Sequence, residues 1–427
     1  MLIRLTLRFA ALGLKFGLTI IIARALGFDA FAVYGLAVAA SVVASKLLGL
    51  GFSTELNRRL SASDPLPAIG EAHRLGTAFA GLYLLICTSL AIASLAGFSA
   101  GEFGVSTRVL GCVLLVALAE HAAFETNTWM FSLHRPRVGS LLQFVRTGGW
   151  AAIACAGLLV GAIRSIEAVF ALWFACNACV VAVSWHRIGV LARRAGHAGR
   201  IARMPAARDM IEVWLRGLPF YAAGGLLSIL QYVERFIANG HASADALGRY
   251  VFAWSVANAV QAIALATVVA TAAPDFVRVL TDDPADFRRR LRRAVAASAG
   301  LATLLSVAIL AVHDDLFRLA NERVGAHEVV LLAVLLASFV LRAAADVLWA
   351  AAIALRTGVA VTLSMAGIAL VCVPAAWYLI ARFGTTGAAL AHLTASIAIV
   401  AALAPIVLRS VRIHAAGAIR RSVSDAA

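Results

Sequence analysis

Nine ionisable side chains fall inside long apolar runs of this sequence: Lys15, Lys46, Glu120, Glu125, Arg146, Glu234, Arg235, Arg342 and Asp346. A charge near the centre of a bilayer costs roughly 2.5–3.5 kcal/mol on insertion scales, so such groups face protein or a watery cavity. Basic groups slightly outnumber acidic ones in this set, and Arg24 adds another at the outer end of the first run. Ammonium and guanidinium donors bind phosphate oxygens well, so the bias leans toward an anionic ligand. The carboxylates suit another task. An isolated acid inside a membrane can relay protons, which makes Glu120, Glu125 and Asp346 candidates for ion coupling.

Lys15 and Lys46 are the only lysines, every other strongly basic residue being arginine. A long cationic side chain near a helix end can snorkel to the interface. Lys15 is too deep in its run for that and is expected to face a cavity. Lys46 and Arg146 are near enough to their cytoplasmic ends that snorkelling and a cavity both remain open. Arg342 and Asp346, at i and i+4, share a helix face and either neutralise each other or act separately. Glu120 and Glu125 stand about 140° apart round a helix, so the two do not converge on one point.

No motif for covalent chemistry is present. The chain lacks a phosphate-cradling Gly-rich loop ending in Lys-Ser/Thr, an H-E-x-x-H and a G-x-S-x-G. It is not expected to be an enzyme or to carry a cofactor or metal. His313-Asp314-Asp315 reads as a solvated helix end. Cys176-Asn177-Ala178-Cys179 lies in an apolar span without a second pair, so the six cysteines read as packing residues.

The elements that must position these charges are transmembrane helices. Hydrophobic residues make up 62% of the 427 and charged ones only 14%, with a mean hydropathy of +0.90. A membrane span takes about 20 apolar residues, and backbone amides in hydrocarbon are satisfied within helices. The expected spans are 5–23, 32–52, 74–96, 107–132, 139–161 and 167–187, then 214–238, 247–272, 294–312, 328–352, 358–380 and 384–408. Pro219 is expected in a first helical turn, and Pro374 and Pro405 are expected to kink their helices. Arg4 and Arg8 before an apolar run loosely mimic a secretory signal, but an uncut first span is the better reading.

With both termini in the cytoplasm, roughly 25 Lys/Arg fall inside and about 7 outside, as the positive-inside rule requires. The net charge of +15 is thereby explained, and nucleic-acid binding is not expected. A basic segment, 188–213, separates two sets of six spans. The expected organisation is an N-lobe (1–187), a cytoplasmic connector (188–213), a C-lobe (214–408) and a basic cytoplasmic tail (409–427). Asp29-Ala30-Phe31-Ala32-Val33-Tyr34 and Asp245-Ala246-Leu247-Gly248-Arg249-Tyr250 repeat the same spacing ahead of the second span of each set. Six being even, the lobes have parallel topology, a pattern recurrent in secondary transporters with the substrate path between repeats.

Several phrases resemble the polysaccharide transporter (Wzx-type) branch of the multidrug/oligosaccharidyl-lipid/polysaccharide (MOP) exporter superfamily. Ala23-Arg24-Ala25-Leu26-Gly27-Phe28-Asp29-Ala30-Phe31-Ala32-Val33-Tyr34 is similar to its "ArxLGpexFGxY". Gly49-Leu50-Gly51-Phe52-Ser53 with Arg58, Glu234-Arg235-Phe236-Ile237 with Ala246–Tyr250, and Phe383-Gly384-Thr385-Thr386-Gly387-Ala388-Ala389 follow in the family's order. Phe28-Asp29 departs from the usual proline, Ala32 from the usual glycine and Glu234 from the usual aspartate. The resemblance implies an all-α, twelve-helix, two-lobe flippase of a bacterial inner membrane. Its substrate would be a polyprenyl-diphosphate-linked glycan turned from the cytoplasmic to the outer leaflet, with polysaccharide polymerase and glycosyltransferases as partners and membrane lipid around the tail. Lys15, Arg24, Lys46 and Arg146 would then hold the head group, while Glu120, Glu125 or Asp346 would couple ions. Two alternatives stand beside it: an ion-coupled drug antiporter of the same superfamily, and a non-transporting scaffold of a polysaccharide assembly complex.

Overall fold

A computed structural model describes residues 2–49, 51–61, 65–97, 106–194, 207–282, 284–321 and 325–425. Among the described residues every regular element is helical. They are α1 (Leu2–Leu47), α2 (Phe52–Leu60), α3 (Leu66–Leu95), α4 (Thr107–Ser132), α5 (Pro136–Phe144), α6 (Trp150–Leu159), α7 (Ile166–Arg194), α8 (Ala207–Asn239), α9 (Ala244–Ala264), α10 (Ala270–Asp282), α11 (Pro284–Ala311), α12 (His313–Leu319), α13 (Ala326–Ala354) and α14 (Gly358–Asp425). One π-helical turn, Val145–Gly149, joins α5 to α6, and another, Leu265–Val269, joins α9 to α10.

Nine of these helical stretches are long and apolar enough to cross a membrane. Two of them are too long to cross once. At about 1.5 Å per residue, α1 and α14 would far exceed a hydrocarbon core about 30 Å thick. Each is broken by a glycine in a conformation that other residues adopt at a cost: Gly27 (φ 83°, ψ 170°) in α1 and Gly384 (φ 57°, ψ −132°) in α14. The chain doubles back at Gly384, because a Cβ on Gly387 would strike the backbone of Leu379 and Ile380. Counting two legs in each gives eleven apolar crossings among the described residues, and α8, with 33 residues, is long enough to supply a twelfth.

The expected loops at 24–31 and 381–383 are therefore glycine breaks inside continuous helices. Span two stops at Leu47, short of the expected 52, because Gly51 takes a left-handed conformation and caps α2. Pro374 and Pro405 sit within helical backbone, and the break falls at Gly384 instead. Pro219 lies twelve residues into α8, well past its first turn. The helix containing span twelve continues through the expected tail to Asp425.

Two compact units divide between Ser228 and Ile229, inside α8. The central part of the connector expected at 188–213 lies outside the described residues. Ser106 and Ser243 start α4 and α9 by accepting the amide protons of Val109 and Ala246. In the first unit α1 and α4 form the interior, and α3 turns Leu84, Leu85, Ile92 and Leu95 outward. In the second unit α13 is central, packed on α9, α11 and α14, while α14 exposes Leu370, Val371 and Trp377. Apolar faces of this extent suit lipid and not water.

Candidate functional site

The first unit gathers its intramembrane charges around one face of α4. Two devices set the geometry. The π turn at Val145–Gly149 inserts an extra residue into the fifth span, as π turns at functional sites often do. Gly148, within it, leaves no room for a Cβ against Ala11, so α1 closes onto the turn. Lys15 lies one helical turn beyond Ala11 on the same face. The side chain of Arg146 points inward from the turn and is buried.

Glu120 anchors Arg146. Its Oε1 accepts from Arg146 Nη1, and its Oε2 accepts from Asn177 Nδ2 at 2.8 Å and from Trp173 Nε1 at 3.0 Å. Trp150 stacks on Trp173 at 4.7 Å with its ring 6° from parallel, and its Nε1 donates to the Arg146 carbonyl. The arginine is thus braced on α4, α7 and its own turn. Such bracing offsets a desolvation penalty of several kcal/mol per buried ion.

The two lysines lack such bracing. Lys15 is half-buried within Coulombic range of Glu120 and Arg146, and its ammonium has no hydrogen-bond or ion-pair partner among the described residues. Lys46 is exposed, with Nζ 5.5 Å from the centre of the Phe124 ring; the Arg146 guanidinium stands 5.3 Å from that same ring. Cation–π contacts of this kind steer a cation without consuming its hydrogen-bond donors. Phe124 thus aligns two positive groups that keep donors for a further acceptor.

The remaining expected residues are placed differently. Arg24 is exposed, near the Gly27 break and about 13 Å along α1 from Lys15, so it does not join the cluster. Glu125 is buried, with Oε1 4.0 Å from His121 Nε2, and lies within Coulombic range of Lys46. Asp346 belongs to the second unit, where it accepts from Gln261 Nε2 at 2.8 Å. Arg342 does not pair with Asp346 despite the i, i+4 spacing. Its Nε donates to Ser396 at 2.9 Å and its Nη2 to the Leu230 carbonyl at 3.0 Å.

Nearby in the second unit, Ser338 bonds His392 and Ser396, Tyr250 donates to Glu234 at 3.3 Å, and Arg235 lies 3.8 Å over the Trp254 ring. The lipid-depth charges of this unit face inward; Arg342, Asp346 and Glu234 are hydrogen-bonded, while Arg235 Nε and Nη2 have no hydrogen-bond acceptor among the described residues.

Sequence reasoning passed over Asn177, Trp173, Phe124 and His121. The Asn177 signal was in plain view, between the two cysteines of Cys176-Asn177-Ala178-Cys179. An amide at that depth needs a partner. Among the described residues no three His, Cys, Asp or Glu side chains group as metal ligands, and the six cysteines form no disulfide.

No protein-family model matches the sequence, and no curated protein matches it. The fold, however, is shared along nearly its whole length with solved membrane transporters. The inward-facing conformation of a multidrug resistance MATE family transporter of the MOP superfamily aligns with a TM-score of 0.71 at 15% identity, covering 97% of this chain and 98% of that one. The inward closed conformation of the lipid II flippase MurJ aligns with a TM-score of 0.68 at 11% identity, covering 100% and 93%. A MATE protein in complex with MaL6 aligns at 0.62 and 12% identity, covering 97% and 96%. Likeness at this identity establishes the fold: an all-helical, two-unit membrane protein of the kind MOP transporters have.

Proposed function

We propose that this chain is a multi-pass transporter of a bacterial inner membrane, both termini cytoplasmic. It moves a polyprenyl-diphosphate-linked oligosaccharide from the cytoplasmic to the outer leaflet by alternating access. The observation that carries this reading is the unconsumed positive charge of the first unit. Lys15, deep in its span, and Lys46, in the last turn of α1, flank a braced Arg146 and keep their ammonium donors available. A diphosphate supplies the acceptors that such a site lacks. The lipid tail remains in the bilayer against the apolar outer faces, and the glycan follows the head group.

Arg146 is the fixed element of this site, since Glu120 and its partners hold it in one orientation. The lysines are the adjustable ones, able to gain a phosphate oxygen without breaking an existing bond. The likeness to MATE structures also admits a drug antiporter. That function calls for acidic groups toward a cationic drug, and the available charge here is basic.

The deciding experiment measures the pool of polyprenyl-diphosphate-linked oligosaccharide and the surface polysaccharide in a deletion strain. Accumulated cytoplasm-facing lipid-linked units with loss of polymer, both restored by the gene, are expected. An unchanged pool with intact polymer, in a strain carrying no second exporter of the kind, would overturn the reading.

A further inference from the structure

The basic end of α11 carries a surface that the cationic site of the first unit does not use. Arg288, Arg289, Arg290, Arg292 and Arg293 stand within two helical turns of one another. The helix beneath them is fixed on its inner side. Phe287 and Leu291 are buried, and the Phe287 ring lies 5.3 Å from that of Phe276 on α10. Further along, Ser298 donates to the Ala343 carbonyl of α13 at 2.8 Å. Arg290 is tied down as well: its Nε donates to Asp286 at 2.7 Å and its Nη1 to Asp275 of α10 at 2.9 Å. Asp286 also accepts from Arg289, and Asp275 from Arg278, each at 2.6 Å. Both carboxylates are thereby taken.

Arg288, Arg292 and Arg293 are left over. All three are exposed and have no ion-pair or hydrogen-bond partner among the described residues. Arg288 and Arg292 are one turn apart on the same face with Arg293 beside them, so the three charges repel. They also stand near a helix N-terminus, where the macrodipole disfavours cations. Helix stability therefore does not account for the cluster. The positive-inside rule accounts for its sign, but arginines spread over any loop on that side would satisfy the rule equally. An anion bridging the three guanidiniums relieves the repulsion and uses their donors, whose fork geometry matches a phosphate.

The same face continues in a way that suits the rest of a lipid. Its next two turns present Ala296, Ala297 and Gly300, all exposed. A Cβ added at Gly300 would meet nothing within 4 Å. Leu304 and Val307 follow, also exposed. From Arg293 to Gly300 the axis advances about 10 Å, which carries this face of a membrane-crossing helix from head-group level into hydrocarbon. A shallow channel floored by small side chains thus starts directly beside the cationic platform.

We propose that the outward face of α11 is a binding site for an anionic phospholipid. The lipid phosphodiester bridges Arg288, Arg292 and Arg293, and one acyl chain lies along Ala296, Ala297 and Gly300. A zwitterionic lipid brings its own cation to the same place and leaves the charge of the platform unrelieved. The site lies wholly within the second unit and does not depend on what the first unit carries.

The test is native mass spectrometry of the delipidated full chain, with phosphatidylglycerol and phosphatidylcholine of identical acyl chains titrated in parallel. Wild type is expected to hold phosphatidylglycerol about tenfold more tightly than phosphatidylcholine, and Arg288→Gln, Arg292→Gln and Arg293→Gln together to abolish that preference. Arg135→Gln, Arg137→Gln and Arg187→Gln together remove the same charge from exposed positions of the first unit and are expected to keep it. Gly300→Phe leaves every charge in place and fills the channel, weakening phosphatidylglycerol by about threefold. Melting temperatures before lipid is added confirm that each variant folds. Inorganic phosphate at the same concentration is expected to leave the lipid bound. Equal affinity of wild type for the two lipids, or equal losses in the two triple variants, would overturn the site. Displacement by inorganic phosphate would overturn its lipid character, and unchanged binding in Gly300→Phe would overturn the seat for the acyl chain.

Discussion

The two units differ in how they hold charge at lipid depth, although each keeps a buried guanidinium nitrogen without a hydrogen-bond acceptor among the described residues, Arg146 Nε in the first and Arg235 Nε and Nη2 in the second. In the second, Arg342 is bonded to Ser396 and to the Leu230 carbonyl, Asp346 to Gln261 and Glu234 to Tyr250. In the first, Glu120 holds Arg146 through Nη1, while Arg146 Nε and the ammonium groups of Lys15 and Lys46 have no hydrogen-bond acceptor among the described residues. Charges that are already partnered hold helices together. Charges with donors to spare can take an arriving ligand. On the function proposed above, ligand binding falls to the lysines of the first unit, while most of the polar core of the second cross-links helices.

The sharpest way to break this contrast is to unpair the buried Glu120–Arg146 ion pair of the first unit. Glu120→Ala strands a buried guanidinium and is expected to cost about 3–5 kcal/mol of stability, read as a fall in melting temperature in nanodiscs. Arg342→Met in the second unit leaves the Leu230 carbonyl and Ser396 without their donor. It is expected to cost about 2–3 kcal/mol, also visible in the melt. If Arg342→Met instead abolished ligand binding with stability intact, the division of labour would fail.

Replacing both lysines (Lys15→Met with Lys46→Met) is expected to leave the melt unchanged and weaken diphosphate binding by about 10- to 100-fold, or about 1.4–2.7 kcal/mol. Titration of undecaprenyl diphosphate into the purified protein reads this directly. The smallest effect is at the glycine that breaks α1 in the first unit. Gly27→Ala forces a side chain into a positive-φ extended conformation that is essentially reserved for glycine, at about 1–3 kcal/mol, a destabilisation expected without loss of binding. Gly387→Ala is the counterpart in the second unit. It should be worse than Gly27→Ala, since its Cβ meets the Leu379 backbone while Gly27 has open space around it.

Hydrophobic run lengths and arginine positions made the number of crossings and the all-helical class legible from sequence. Turn geometry was less so. The segments at 24–31 and 381–383 read as short loops between spans, yet a single glycine with positive φ breaks each helix there. Partner choice was the least legible. Arg342 and Asp346 looked like a pair because i, i+4 is a local rule, but Ser396 and the Leu230 carbonyl lie in better directions. Glu120 and Arg146 are 26 residues apart, and Asn177 is 57 from Glu120. Nothing in a linear reading joins them. Tertiary packing of α1, α4, the π turn and α7 does so.

The central claim is that the uncommitted cations of the first unit bind the diphosphate head group in transit. Its most direct test is translocation of a fluorescent polyprenyl-diphosphate saccharide across liposomes containing the purified protein. Wild type and Arg24→Gln are compared with the Lys15→Met, Lys46→Met double variant. Transfer by wild type and Arg24→Gln, with loss in the double variant at unchanged melting temperature, is the predicted result. Equal transfer by all three would contradict the account.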